Sequence, residues 1–453
     1  MIMPTERFEL LTDLYELTMA ASYFENSMVQ PATFSLFVRN YPHGRSYFVA
    51  TGLEQVLDYV SNFHFSESDL AYLDRTNLFA DDFLEYLETM RFTGSIYGLA
   101  EGEVFFVDEP ILEVTAPIIE AQILETFVIN TLNLQSMIAT KAARCVHAAE
   151  GRGLVDFSLR RTQGIDAGLK VARSSYLAGF VATSNVLAGK LYSIPISGTM
   201  AHSYISSFGD EIEAFRAFAR SFPKNTILLI DTYDTIAGAR KAAIVGKEMA
   251  KDGHELIGVR LDSGDMTALS QQVRKVLDEA GLTDVKIFAS SGFDEYKIAR
   301  TLKEGARIDA FGVGTKMGVS GDAPYFDMAY KLVQYGERPV MKLSTAKVNL
   351  PGKKQVFRKT DHQGRFLEDT ISTRDETIEA ARPLLEPVMR DGKLMAKHPS
   401  LEEIRQRFKK NFAALDQKYK HLDGAHLYPV KLSARLKALQ EAFSSHFHPD
   451  RLL

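Results

Sequence analysis

Between Val155 and Lys316 short apolar runs recur, and each one stops at a knot of polar, basic or glycine residues. In order they are Val155-Asp-Phe-Ser-Leu-Arg-Arg161, Ile194-Pro-Ile-Ser-Gly-Thr199, Thr226-Ile-Leu-Leu-Ile-Asp231, Leu256-Ile-Gly-Val-Arg-Leu-Asp-Ser-Gly-Asp265, Val285-Lys-Ile-Phe-Ala-Ser-Ser-Gly292 and Ala310-Phe-Gly-Val-Gly-Thr315. A strand covered on both faces needs such a run, and the loop that follows it is where a parallel sheet places its chemistry. Amphipathic patterns at residues 166–177, 235–251, 266–280 and 295–304 predict helices between the runs. Sustained strand–helix alternation implies a parallel sheet, open or closed. A regular barrel needs eight strands, and only six or seven are defensible here, one of them (179–182) weak. The pattern therefore predicts an α/β protein built on an irregular or incomplete α/β barrel.

The flanks read differently. Asp13, with Glu16 three residues later, is a capping-box-like helix start, and Leu14, Leu17, Ala21 and Phe24 form an apolar stripe. Strands are expected at 32–39 and 47–50, a helix from Leu53, two short helices within 66–90, and an antiparallel meander over 94–120. A helix over 120–134 leads to another over 137–150, ended by Gly151 and Gly153. After Met317, strands are expected at 329–335, 339–343 and 355–358, able to pair with the N-terminal sheet or extend it. Two amphipathic helices follow at 401–415 and 430–443, with Ile404, Phe408, Phe412 and Leu415 on one face. The expected division is a sheet-containing lid domain over 1–115, the barrel over 116–328, and a C-terminal part over 329–453 whose strands join the flanking domain.

Composition narrows the class. At 453 residues, two or three domains are the default, and 45% hydrophobic with 25% charged residues is ordinary for a soluble globular protein. A net charge of −5 argues against a dedicated nucleic-acid binder, so any anion site is local. The single cysteine, Cys145, excludes an intrachain disulfide framework and a thiolate metal cluster; its helical context favours a buried structural thiol over a nucleophile. The N-terminal stretch lacks the apolar core of a signal peptide, and no run of 18 apolar residues occurs. A cytoplasmic protein with no membrane partner is expected.

Several strand ends carry candidate chemistry. Gly198-Thr-Met-Ala-His-Ser203 reads as a glycine turn with a helix starting near Thr199 and His202 in its first turn. A neutral imidazole there can act as a nucleophile toward phosphorus, or merely hydrogen-bond its own loop. Arg260 and Asp262 lie two apart on a strand and so point to one side. A guanidinium can clamp a carboxylate, and a carboxylate can hold a ribose diol or a metal-bridged phosphate. The competing reading is an internal ion pair. Arg160 and Arg161, on one strand end, should point to opposite faces, so that only one reaches a ligand. Ser290-Ser-Gly-Phe and Gly312-Val-Gly-Thr315 are glycine turns suited to a phosphate held by backbone amides. Asp231 and Asp234 are both candidates to cap a helix from Thr235, and Asp234 fits that role better. No Walker, HExxH or GxGxxG motif is present.

Taken together, Thr12-Asp-Leu-Tyr-Glu-Leu-Thr-Met19, Phe157-Ser-Leu-Arg-Arg161, Thr183-Ser-Asn-Val186, Gly198-Thr-Met-Ala-His202, Val259-Arg-Leu-Asp-Ser-Gly264 and Gly312-Val-Gly-Thr315 resemble nicotinate phosphoribosyltransferase, over about residues 8 to 360. The resemblance implies an irregular type II phosphoribosyltransferase barrel, a flanking sheet domain, and a homodimer with shared active sites. It implies the joining of nicotinate to phosphoribosyl pyrophosphate in NAD biosynthesis, with Mg²⁺ held mainly by the pyrophosphate. ATP, as co-substrate, would phosphorylate His202. By the same resemblance, nicotinate contacts fall on Tyr15, Thr199 and Arg260, and a phosphoribosyl contact on Thr315. Arg160, Arg161, Asp262, Gly292, Gly312 and Gly314 are implied as pyrophosphate, ribose or 5′-phosphate contacts. On its residues alone Tyr15 could equally be a plain surface aromatic. Two rivals stand beside this reading. A nicotinamide phosphoribosyltransferase would carry an aspartate where Ser184 stands, and a catalytically silent phosphosugar-binding barrel would not need His202 with Arg260 and Asp262.

Overall fold

The computed structural model describes residues 8–342 and 349–446. The start of the N-terminal stretch inspected for a leader, and Leu343 at the end of one expected strand, lie outside these residues. The chain divides into two compact units, residues 1–137 with 325–453, and residues 138–324. The boundaries expected from the sequence are 115 and 328. The first compact unit runs past 115 because Leu112–Pro117 pairs inside its sheet, and the division falls within one helix, Glu125–Ala148.

In the first unit a seven-stranded sheet runs in the order Arg338–Pro339, Met328–Tyr335, Pro31–Val38, Leu112–Pro117, Ser95–Leu99, Leu385–Arg390, Lys393–Leu394. Its named neighbours are antiparallel, and Phe34 stacks on Tyr330 across the join between N-terminal and C-terminal strands. The expected strand near 355 does not extend this sheet. As Lys354–Thr360 it belongs to a separate four-stranded sheet with Phe366–Thr373, Ala381–Pro383 and Val430–Leu432. The expected helix from Val430 therefore begins only at Ala434, because three residues first pair with Phe366–Thr373. A buried Arg358–Asp369 pair, Nη2 to Oδ2 at 2.5 Å, ties two strands of this sheet, with Tyr428 donating to the same carboxylate. The helices expected over 120–134 and 137–150 are a short one, Ile118–Gln122, and then one unbroken helix, Glu125–Ala148.

The first helix, Leu14–Glu25, starts without the expected capping box. Both carboxylates turn instead to Thr126, whose hydroxyl lies 2.6 Å from Asp13 Oδ2 and 2.5 Å from Glu16 Oε1. The face it buries is Glu16, Leu17 and Ala20, while Leu14 and Tyr15 are exposed.

The second unit is the parallel α/β part. Its strands, in chain order, are β1 (Gly153–Asp156), β2 (Ala182–Thr183), β3 (Ile227–Leu229), β4 (Gly258–Leu261), β5 (Lys286–Ser290) and β6 (Ala310–Val313). They pair in the order β2-β1-β6-β5-β4-β3, a curled half-barrel whose edge strands β2 and β3 do not close on each other. Val155, Leu229, Val259, Ile287, Ala289, Phe311 and Val313 are buried, as strands covered on both faces require. The weakly expected strand near 182 is β2. The run from Ile194 is only a bridge between Ile196 and Thr183, since Pro195 offers a carbonyl but no N–H to a ladder. Helices follow the strands, and Asn185, Asp210, Asp234, Asp265 and Asp294 each cap one with a side-chain oxygen. Cys145 is buried, which pushes its thiol well above the ordinary range. No described helix is long and apolar enough to cross a membrane.

Candidate active site

Five of the six strand ends of the second unit, all but that of β3, border a cleft of 670 Å³. Phe157, Arg160 and Arg161 after β1, Ser184 after β2, Arg260 and Asp262 at the end of β4, Ser290 to Gly292 after β5, and Gly312, Gly314 and Thr315 at the end of β6 all line it. Residues 198–201 form a further wall. Five of the six apolar runs thus end on one concave surface; the run 226–231 does not reach it.

Arg160 and Arg161 both line this surface, contrary to the expectation that a strand would split them. The strand ends at Asp156, whose buried Oδ1 accepts from Ser158 N at 2.9 Å and from Ser158 Oγ at 2.5 Å. That turn throws Leu159–Arg161 into a short 3₁₀ helix, where neighbouring side chains no longer alternate. Asp156 also accepts from Thr183 Oγ1 at 2.8 Å, joining the ends of β1 and β2. Burial raises its pKa, and these hydrogen bonds oppose the shift.

Arg260 is the most constrained cation of the cleft. Its Nη1 donates to Thr199 Oγ1 at 2.6 Å and to the Met200 carbonyl at 3.2 Å, and its guanidinium carbon lies 6.0 Å from the centre of the Phe157 ring. Its Nε is buried without a hydrogen-bond partner. Burial pulls its pKa below the ordinary value; Asp262 and Asp231 oppose this, and Arg160 adds repulsion. Such a cation is under-compensated, so an anion entering the cleft gains more than it would in water. Among the described residues, Asp262 makes no ion pair with Arg260 at the strand end. Its Oδ1 accepts from Ser290 Oγ at 2.5 Å, and its own N–H donates to Asp231 Oδ2 at 2.7 Å.

His202 stands beside the cleft, with Nε2 3.6 Å from Asp262 Oδ2 and Nδ1 3.0 Å from Thr232 Oγ1. The helix it begins is His202–Ser206, so the start expected near Thr199 lies three residues later. Residues 198–201 form no regular structure, and Thr199 and Met200 offer a hydroxyl and a carbonyl to Arg260.

Two glycines are required by geometry. Gly292 has φ +59°, and a Cβ on Gly312 would sit 2.5 Å from the Phe157 ring and 3.2 Å from Ser290 Cβ. Asp234 caps the helix Thr235–Lys251, as expected. Sequence reasoning gave no role to Phe157 or Thr232; Asp231, which beside Asp234 was a possible cap for the helix from Thr235, instead accepts from Asp262 N and Ser263 Oγ. Tyr15 lies in the first unit, half exposed, with its hydroxyl pKa raised by burial and by nearby Glu125 and Glu16. Among the described residues no group of three or more His, Cys, Asp or Glu side chains is disposed to hold a metal. Asp231 does keep a buried Oδ1 with no hydrogen-bond partner, and with Asp262 it supplies hard oxygen donors suited to Mg²⁺ brought in largely by a ligand's own oxygens.

The chain matches three family models: the nicotinate phosphoribosyltransferase N-terminal domain over residues 10–133, the nicotinate phosphoribosyltransferase family over 153–334, and the nicotinate phosphoribosyltransferase C-terminal domain over 377–440. A nicotinate phosphoribosyltransferase of Mycobacterium tuberculosis is 47% identical over 97% of this chain and 96% of its own length. One from Bacillus subtilis is 39% identical over 94% and 93%. The crystal structure of human nicotinic acid phosphoribosyltransferase superposes with a TM-score of 0.85 at 29% identity, covering 95% of this chain and 99% of the human one.

Proposed function

Since this chain belongs to the nicotinate phosphoribosyltransferase family, and transfers a phosphoribosyl group to nicotinate in NAD biosynthesis, we propose how its residues divide that work and how ATP enters. The pyridine nitrogen of nicotinate forms a bond to C1 of the ribose as the bond from C1 to pyrophosphate breaks, and the electron pair leaves with pyrophosphate. Positive charge builds on the sugar and negative charge on the leaving group, so positioning and electrostatics dominate the catalysis.

Arg260, held by Thr199, receives the nicotinate carboxylate; this anchored guanidinium carries the reading. Tyr15 stacks on the pyridine ring from a neighbouring subunit of a homodimer with shared sites. Thr315, Gly312, Gly314 and Gly292 cradle the 5′-phosphate, Asp262 meets the ribose hydroxyls, and Arg160 and Arg161 meet the pyrophosphate. Mg²⁺, bound mainly by pyrophosphate oxygens, supplies charge neutralisation on the leaving group.

ATP is a co-substrate that phosphorylates His202; hydrolysis of the phosphohistidine then couples turnover to ATP. The ring's place beside Asp262 and Thr232 supports this, because a phosphoryl group there adds negative charge next to the substrate. Selection of the acid over the amide is supported by Ser184 on the cleft wall, where an amide-selecting enzyme would offer a carboxylate.

The test is product formation from phosphoribosyl pyrophosphate with nicotinate, nicotinamide and quinolinate side by side, with and without ATP. The reading expects nicotinate to be used best and ATP to stimulate. Equal use of nicotinate and nicotinamide counts against the substrate assignment. In His202→Ala, ATP-independent synthesis should persist slowly without stimulation, and undiminished stimulation rules out the phosphohistidine.

A further inference from the structure

Lys297 is a cation in an unfavourable place. It lies in the first turn of the helix Glu295–Lys303, whose N-cap is Asp294, and a positive charge at that end opposes the helix dipole. It is half-buried, and burial together with neighbouring Lys316 and Arg300 lowers its pKa, against the pull of Asp294. Asp294 does not pair with it. That carboxylate instead binds Lys316 Nζ at 2.7 Å and accepts the Lys297 backbone N–H at 2.8 Å.

The ammonium of Lys297 bends back, lies 4.8 Å from the centre of the Phe293 ring, and donates to the carbonyl oxygen of Ser291 at 2.5 Å. That carbonyl belongs to the same peptide group as the N–H of Gly292. A peptide group is planar and trans, so its C=O and N–H point in opposite directions. Fixing the carbonyl toward Lys297 therefore fixes the Gly292 N–H on the other side. Ser291 and Gly292 both line the cleft, whereas Lys297 does not figure among its lining residues. A charged donor on a peptide oxygen also draws electron density from the nitrogen, so the opposite N–H becomes a stronger donor.

We infer that Lys297 is a positioning residue for the phosphate cradle: its charge orients and polarises the Ser291–Gly292 peptide so that the Gly292 N–H binds the 5′-phosphate of the phosphoribosyl substrate. The inference rests on the proposal that the turns after β5 and β6 hold that phosphate. It adds a residue that strengthens the cradle without touching the substrate.

The test uses the full-length enzyme and steady-state kinetics in each substrate. Lys297→Met, which keeps the length and removes the charge, should raise the KM for phosphoribosyl pyrophosphate about three- to tenfold. The KM for nicotinate should stay within about twofold. Lys297→Arg, which keeps a donor cation, should restore most of the loss. Thr315→Val probes the cradle directly and separates the two claims. If Thr315→Val raises the phosphoribosyl pyrophosphate KM and Lys297→Met does not, the Lys297 inference is overturned alone. If neither variant moves it, the cradle assignment fails as well. A Lys297→Met enzyme that loses thermal stability and affinity for both substrates together, with no rescue by arginine, shows a structural lysine and also overturns the inference.

Discussion

Arg260 donates from Nη1 to the Thr199 hydroxyl at 2.6 Å, joining the end of β4 to the loop before the His202 helix, 61 residues away in the chain. Its second acceptor, the Met200 carbonyl, belongs to the same loop, so the guanidinium is held before any substrate arrives. Such fixing lowers the entropy lost when a carboxylate docks.

Lysine at 260 keeps the charge but not the fork, so Arg260→Lys should lower kcat/KM for nicotinate about tenfold or more. Thr199→Val keeps the cation and removes its anchor, and a smaller loss of about three- to tenfold is expected. Steady-state kinetics with nicotinate varied at saturating phosphoribosyl pyrophosphate measures both. Full efficiency in Arg260→Lys would exclude a fixed fork as the selector.

Gly312 tests the packing beneath the proposed phosphate cradle. A methyl group there would meet Cδ2 and Cε2 of Phe157 at 2.5 Å, and Phe157 also lies beneath the Arg260 guanidinium. Gly312→Ala should therefore push the ring into the cleft and lower kcat by about tenfold or more, the scale of an ångström-sized misplacement. Adding Phe157→Leu makes room, so the double variant should recover part of the loss. Additive losses in the double variant would mean that the ring is not the obstacle.

Much of this site was legible because strands covered on both faces demand unbroken apolar runs, and each run announces the loop that follows. Arg260 and Asp262 could be placed together from their spacing alone. Arg160 and Arg161 could not, since the turn between them and β1 depends on Asp156 accepting two hydrogen bonds from Ser158. The 194–199 segment looked like a strand by its alternation, yet Pro195 leaves it one bridge. Thr232 carries no signal in the sequence, because its role arises only from an imidazole brought to it across 30 residues. The same limit hid Thr126, a lone hydroxyl that takes up both carboxylates of the expected capping box.

Glu16 should make stability depend on pH. Burial raises its pKa to about 7, opposed by hydrogen bonds from Thr126 and Thr12 and reinforced by Glu125. The folded state therefore holds a proton that the unfolded chain releases near the ordinary glutamate value. Between about pH 4.5 and pH 7 the folded state binds more protons, so the Glu16 contribution falls as pH rises through that window and then levels off. Glu16→Gln keeps the shape without the titration. The difference in Tm between variant and native protein should shift in favour of the variant from about pH 5 to about pH 8. A difference that stays constant across this range would refute the assignment.

Thr232 offers a test of the proposed ATP-coupled step apart from synthesis itself. Its hydroxyl lies 3.0 Å from His202 Nδ1, which orients the ring and leaves Nε2 toward Asp262. A hydroxyl that fixes an imidazole sets both its tautomer and its aim, as the partners of catalytic histidines do. In Thr232→Val the ring keeps its chemistry and loses that guide. ATP-stimulated synthesis should fall about tenfold, the scale of one lost hydrogen bond together with misorientation, while the ATP-independent rate stays within about twofold. Incorporation of label from γ-labelled ATP into the protein should slow in parallel. If labelling slows but the stimulated rate does not, phosphorylation of His202 is not the step that couples ATP to turnover.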